Sequence, residues 1–216
     1  MELPLFTLNT VLFPGAGLPL HIFEERYKQL VRACLDEGRP FGVLLIRRGN
    51  EVGEPAEPFD VGTTAHIESV EHLPEGRMNL ACVGGQRFRL LEIVRREPYM
   101  AGRVELLPAT AEDDGKALEL AGDAGALFAE YLRLYLALSN QWARSVEMPG
   151  DPAALADFIA SRLGVNLWTK QLLLEEISLR KRLALEVQIL AESIREMTPR
   201  VEVARATRWH GFAVTN

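Results

Sequence analysis

The chain has 216 residues, 48% of them hydrophobic and 25% charged. That is the composition of an ordinary globular protein, long enough to bury a real core. Its formal net charge is −6, and its only lysines are Lys28, Lys116, Lys170 and Lys181, a balance that argues against broad binding to a phosphate backbone.

No run approaches the roughly 18 apolar residues of a membrane span. The opening MELPLFTLN has no basic segment followed by an apolar stretch, so no signal peptide is expected and the cytoplasm is the expected location. In that compartment Cys34 and Cys82 are read as free, buried thiols rather than a disulfide.

In chain order, residues 3–7 read as a short strand and Phe13-Pro14-Gly15 as a turn, with Pro setting φ and Gly taking the positive φ that follows. In LPLHIFEERY (18–27), Pro19 and Leu20 are expected to end the extended segment. The first helix is expected from about Glu24 to Glu37, because Tyr27, Leu30, Val31, Cys34 and Leu35 recur at helical spacing. Glu24 and Glu25 suit the positive end of its dipole, Gly38 its left-handed terminus, and Pro40 its stop.

FGVLLI (41–46) has the length of a buried strand, and 47–60 reads as a loop rich in Gly, Pro and charge. Strands are expected at 61–72, 77–84, 86–95 and 99–107. Pro74-Glu75-Gly76 separates the first two, and Gly84-Gly85 marks a tight bend or bulge. So many short strands favour a small barrel or a strongly curved sheet.

The pattern changes near residue 110. ATAEDDG (109–115) reads as a polar linker, and 116–140 carries a helical stripe from Leu120 to Leu138. Asp151 and Pro152 suit the N-cap and first position of another helix, which Gly164 ends. Two more helices fit 167–176 and 178–197, with Pro199 as the stop. The organisation expected is therefore an α+β chain: a β-rich part at 1–110 with one helix, a four-helix part at 111–198 and a C-terminal arm at 199–216.

Signals for chemistry are few. The chain contains no P-loop, no dinucleotide fingerprint, no nucleophile elbow, no Cys-x-x-Cys and no His-Glu-x-x-His. His66, Glu68 and His72 fall at even offsets on one strand, a spacing that fits either a metal or acid–base patch or a solvated polar face. The pattern favours the polar face.

His21, Glu24, Glu25, Arg26 and Tyr27 crowd one short stretch. No nucleophile or metal group accompanies them, so they read as a strand-to-helix joint, with His21 bonding backbone and Arg26 pairing with a carboxylate. The tail interleaves Arg200, Arg205 and Arg208 with Trp209 and Phe212. That mixture can stack on single-stranded nucleic acid, but it equally suits a last strand or an arm docked on the core, and the acidic chain and Glu202 favour docking or partner contact.

Taken together, LPLFTLNTVLFPGAGLPLHIFEERYKQLV (3–31), VGTTAHI (61–67), PEG (74–76), GGQRFRL (84–90), EPY (97–99), LADFIASRL (155–163), KQLLLEE (170–176) and Arg182-Leu183 resemble, in order, the N-terminal domain of Lon proteases. The resemblance implies a PUA-like β-pseudobarrel followed by a helical subdomain, acting in substrate recognition. In full-length Lon this domain precedes an ATPase and a Ser–Lys protease, neither of which is expected here.

The implied function is a non-catalytic protein- or peptide-binding module without a cofactor, and the competing reading is a PUA-like RNA-binding protein. Implied partners are unfolded or flexible protein segments and a separate protease. Arg87 and Tyr99 match family motif positions and stand as candidate binding residues, although structural roles suit both. The loop at 47–60 and the seam between barrel and helices are the candidate contact regions.

Overall fold

The computed structural model describes residues 1–50, 56–108, 115–139, 141 and 146–212, with backbone alone for 205–212. The centre of the 47–60 loop and most of the 109–115 linker lie outside the described residues. The chain divides into two compact units, one of residues 1–110 and 160–177, the other of 111–159 and 178–216. The boundary differs from the one expected, because 160–177 groups with the β-rich part.

The first unit contains seven strands: β1 (Glu2–Leu8), β2 (Gly17–Ile22), β3 (Phe41–Arg48), β4 (Glu57–Pro58), β5 (Val61–His72), β6 (Met78–Arg95) and β7 (Ala101–Leu106). Helix α1 (Glu25–Glu37) follows β2. The strands run in the order β1-β7-β6-β5-β3, and β1 pairs with β3 in parallel, so five of them close a ring. This is an α+β pseudobarrel, as the resemblance implied. Closure removes the unpaired edges that a small sheet would otherwise present.

Strands 77–84 and 86–95 prove to be one strand, β6, because Gly84-Gly85 makes a bulge instead of a turn. The register passes from Thr63↔Arg87 to Ala65↔Gly84, leaving two β6 residues opposite Thr64. The amide of Gln86 donates to Thr64 Oγ1 at 2.8 Å, and Thr63 Oγ1 donates to the Leu12 carbonyl at 2.6 Å. A Cβ on Gly84 would collide with the carbonyl of Phe13. The two glycines therefore let the Phe13 turn and β5 approach β6 more closely than any side chain permits.

Helix α1 ends as the sequence indicates. Gly38 has φ 61° and ψ 34°, and the Arg39 amide reaches back to the Cys34 carbonyl at 3.0 Å. Tyr27, Leu30, Val31 and Cys34 form its buried face, and the Tyr27 ring stacks on Phe6 with centroids 3.8 Å apart. These residues join Ile22, Leu80, Cys82 and Ala65 in one core cluster. A second cluster gathers Leu3, Leu5, Leu44, Phe88, Met100 and Val104 inside the ring.

Helix α3 (Pro152–Arg162) begins where expected, with Asp151 Oδ2 accepting from the Ala154 amide at 2.8 Å. Helix α4 (Leu167–Glu175) is capped by Asn166, whose side chain accepts from the Thr169 amide. α4 belongs wholly to the first unit.

In the second unit, helix α2 (Gly115–Leu138) packs along α5 (Leu179–Phe212). Ala121, Ala124 and Phe128 supply the buried positions of α2, and Leu183, Leu190, Met197 and Val201 those of α5. Within that unit Arg182 and Asp157 are buried 3.8 Å apart.

Pro199 does not stop α5, which runs through it to Phe212. The buried stripe continues across the proline, from Met197 to Val201, and packing of that stripe outweighs the single lost amide bond. Thr198 Oγ1 donates to the Ile194 carbonyl at 2.8 Å in the turn before it. Residues 200–212 are thus helix rather than a separate arm.

Candidate functional site

The residues that resembled a catalytic cluster fall on a three-stranded leaf beside the ring. In it the first half of β6 lies between β2 and the second half of β5. Strand β2 does not end at Pro19 and Leu20 but continues through His21 to Ile22, because every residue from Gly17 to Ile22 has a β6 partner.

His21 turns its side chain across the strands rather than toward backbone. Its Nδ1 donates to Asn79 Oδ1 at 2.7 Å, and Asn79 Nδ2 donates to Glu71 Oε2 at 2.8 Å. The carboxylate can only accept, which fixes the amide orientation and with it the proton on His21 Nδ1. Arg26 pairs with Glu24 at 3.1 Å and lies over the Tyr27 ring at 4.5 Å. The segment is a joint, and its exposed His21 begins a hydrogen-bonded row that ends on Glu71.

His66, Glu68 and His72 do not share a face. The β5–β6 register passes from Ile67↔Cys82 to Ser69↔Ala81, so Glu68 is the extra residue of a bulge. Beyond it the faces exchange: Val70 and His72 register with Leu80 and Met78, both buried. A bulge changes side-chain phase by one, which defeats an even-offset argument. Among the described residues no group of three His, Cys, Asp or Glu side chains is placed to hold a metal ion.

Arg87 and Tyr99 both lie inside, at 9% and 8% exposure. Arg87 Nε donates to the Leu174 carbonyl of α4 at 3.0 Å. Gln171 Nε2 makes the reciprocal kind of bond from α4 to the Val61 carbonyl of β5, also at 3.0 Å. These two bonds tie α4 to the barrel wall. Tyr99 packs in the α1 cluster and carries the Arg95 guanidinium 4.7 Å over its ring.

With its inner side anchored, α4 turns Trp168 and Leu172 outward, at 63% and 53% exposure. Trp168 meets Phe59 edge-on at 5.0 Å, and the Arg47 guanidinium lies 4.8 Å over the Phe59 ring. Lys170 bonds the Ser161 carbonyl at 2.9 Å, and burial holds its ammonium below the ordinary lysine range.

Both cysteines are free and buried, and burial pushes each thiol up to about 11, far from the thiolate that a nucleophile needs. The features that face solvent are strand edges, a polar row and an apolar helix face. These are means of binding.

Residues 2–192 match the family model described as the ATP-dependent protease La (LON) substrate-binding domain. The chain belongs to the Lon substrate-binding domain family. It is 31% identical over 191 residues to the Lon protease of Anaeromyxobacter dehalogenans, an alignment covering 87% of this chain and 23% of that one. It is 33% identical over 209 residues to the Lon protease of Paraburkholderia phytofirmans, covering 93% and 25%. The chain thus spans about a quarter of the length of these relatives.

Among solved structures it resembles a Lon N-terminal domain protein from Xanthomonas campestris, with TM-score 0.62, 28% identity and coverage of 88% and 98%. It also resembles the N-terminal domain of a Mycobacterium avium complex Lon protease, with TM-score 0.66 at 18% identity and the same coverage, a likeness of fold alone. The matched span of this Lon-type domain takes in the leaf, the ring and α4. The side chains of Arg205, Arg208, Trp209 and Phe212 lie outside the described residues, as they lie outside the matched span. Among the described residues no helix is long and apolar enough to cross a membrane.

Proposed function

We propose that this chain is a non-catalytic module that binds unfolded or flexible segments of other proteins, without ATP. The observation that carries this reading is the match of residues 2–192 to the Lon substrate-binding domain. The solvent-facing apolar pair on α4 and the open strand edge of the leaf support it, since both offer affinity with loose sequence demands. In this reading Arg87 and Gln171 brace α4 from inside, and Tyr99 packs the core, so that none of the three touches the partner. A cytoplasmic setting and delivery of bound segments to a separate protease complete the proposal, and the free thiols suit that compartment.

The test is retention of chemically unfolded, reduced model proteins on the immobilised chain, with and without ATP. Retention of the unfolded but not the native forms, unchanged by ATP, is expected. Failure to retain any of a diverse panel would overturn the proposal.

A further inference from the structure

The leaf has two outer edges, and they differ. Gly84 directs both its amide and its carbonyl toward the β2 side, through the bonds Gly15 N–H to Gly84 O (2.8 Å) and Gly84 N–H to Ala16 O (2.9 Å). Backbone groups alternate in direction along an antiparallel strand. Leu18, Leu20 and Ile22 therefore face β6, and Gly17, Pro19 and His21 face away. On the outer side of β2, Pro19 has no N–H to offer, which is how natural sheets blunt an edge.

The same alternation, carried across β6, turns His66, Ser69 and Glu71 of β5 toward β6 and leaves Ile67, Val70 and His72 facing outward. β3 covers β5 only as far as Phe41↔Ala65, because the chain enters β3 there straight from the end of α1. Beyond Ala65, no strand or side chain among the described residues bonds this side of β5. No proline interrupts it, and the bulge at Glu68 bends it between Ile67 and Ser69.

Side chains along this edge form rows that stop at β5. On the α1 side the rows are Leu18–Cys82–Ile67 and Leu20–Leu80–Val70, all apolar. On the solvent side one row is His21–Asn79–Glu71, bonded in sequence and ending on a carboxylate. A strand laid beside β5 would extend each row by one residue. Positions opposite Ile67 and Val70 would need apolar side chains, and those opposite Glu71 and Glu68 would need cationic ones.

We infer that the β5 edge from Ile67 to His72 is the docking strand of this module, and that it takes an extended segment of another protein in which apolar and basic residues alternate. This rests on the protein-binding function proposed above and names its site and its partner's chemistry. Main-chain bonds supply affinity without sequence, while the alternating rows set phase and the preference for Lys or Arg.

The experiment uses the full chain and a peptide of about eight residues alternating lysine and valine, with binding read by fluorescence anisotropy. Three peptides serve as comparisons: the glutamate–valine analogue, a lysine–valine peptide with its charges grouped in one block, and the alternating peptide N-methylated at every second amide. The decisive variant is Val70→Pro, which places on β5 the residue β2 already carries at its outward-facing position and leaves the β5–β6 bonds in place.

Binding of the alternating basic peptide is expected to fall at least about tenfold for each comparison peptide and for Val70→Pro. Glu71→Lys should exchange the preference for the basic peptide with that for the acidic one. Circular dichroism and thermal melting establish that each variant is folded, and if Val70→Pro is not, the N-methylated peptide and Glu71→Lys still decide.

Equal binding of the N-methylated peptide, or an unaltered charge preference in Glu71→Lys, would overturn the assignment. So would a dimer of the chain that Val70→Pro dissolves, since the edge would then belong to a second copy. Retention of unfolded model proteins by wild type and Val70→Pro alike would discard this edge and keep the binding function. Failure of the wild type to bind either unfolded proteins or peptide would discard both.

Discussion

Strand β6 passes through two environments, and its halves are built for different ends. From Gln86 onward it joins the closed ring, with β5 on one flank as far as Arg89 and β7 on the other from Phe88. There the Phe88 ring fills the interior at 0% exposure. It is approached so closely that a Cβ on Gly42 would stand 2.6 Å from its Cζ, and one on Gly62 3.0 Å. Before Gly84 the same strand is the middle of a three-stranded leaf with one face on α1, the other in solvent, and an outer edge on each side. Closure uses up hydrogen-bonding capacity and gives rigidity, whereas the leaf keeps capacity in reserve. Stability should therefore concentrate in the ring and recognition in the leaf.

The largest test of that division is inside the ring. Phe88→Ala is expected to cost about 3–5 kcal/mol, the usual range for emptying a fully buried aromatic site. Gly62→Ala should cost about 1–3 kcal/mol through overpacking, because its Cβ has no direction in which to relax. Chemical denaturation with hydrogen exchange along β6 checks both, and protection should fall on both sides of Gly84 if the ring supports the leaf. Loss of protection confined to the ring half would show two independent halves and break the comparison.

Next in size is the brace from the ring to α4. Arg87→Met should lose about 1–3 kcal/mol, because it leaves the buried Leu174 carbonyl without its donor. Arg87→Lys should recover little, since an ammonium on a flexible stem cannot reproduce the directed Nε–H. The same variants should loosen Trp168, which near-ultraviolet circular dichroism and quenching of its fluorescence would report.

The thiols give a smaller effect with a defined pH window. Burial raises Cys34 and Cys82 from 9.0 to about 11, so in the folded state each holds its proton where the unfolded chain would release it. Below about pH 9 the two states bind the same number of protons, and this stabilisation is fully present. It is lost as pH rises from about 9 toward about 11. Alkylation near pH 8 should be slow in the folded chain and fast after denaturation. Rapid labelling of either folded thiol would show that the α1 face of the leaf opens.

Much of this fold was legible in the residues, and the misses share a cause. Helix α1 was legible except at Leu35, which stands 42% exposed at the rim of the stripe; the other stripe residues, the acidic start and Gly38 are local signals that tertiary packing then used. Strand number and turn spacing left a small barrel and a strongly curved sheet both open, and the parallel β1–β3 pairing decides for closure. Gly84-Gly85 was ambiguous between turn and bulge, since only the approach of Phe13 and Thr64 decides it. The bulge at Glu68 left no mark in composition, so His66, Glu68 and His72 looked like one face when they form two.

Pro199 gave a true local signal that Met197 and Val201 overrode by packing on either side of it. Arg87 and Tyr99 were visible as motif residues, but only the structure shows them braced inward. The β5 edge was invisible for a physical reason: a backbone left unpaired among the described residues is a property of where β3 begins, not of the residues that line the edge.

The smallest expected effect bears most directly on what the leaf does. Asn79→Ala removes the link between His21 and Glu71 without touching the buried rows, so its change in stability should stay within about 0.5 kcal/mol. The link also restrains the Glu71 carboxylate, and a restrained acceptor loses less rotamer entropy when a cation arrives. Affinity for the alternating basic peptide should therefore drop about threefold, less than for Glu71→Gln, which removes the charge itself. Isothermal titration resolves the cause. A loss that is mainly entropic fits a carboxylate set free, whereas a loss as large as that of Glu71→Gln would mean that Asn79 itself meets the incoming strand. In the second case the row extends its contacts across β6, and recognition spreads over the solvent face of the leaf instead of its edge.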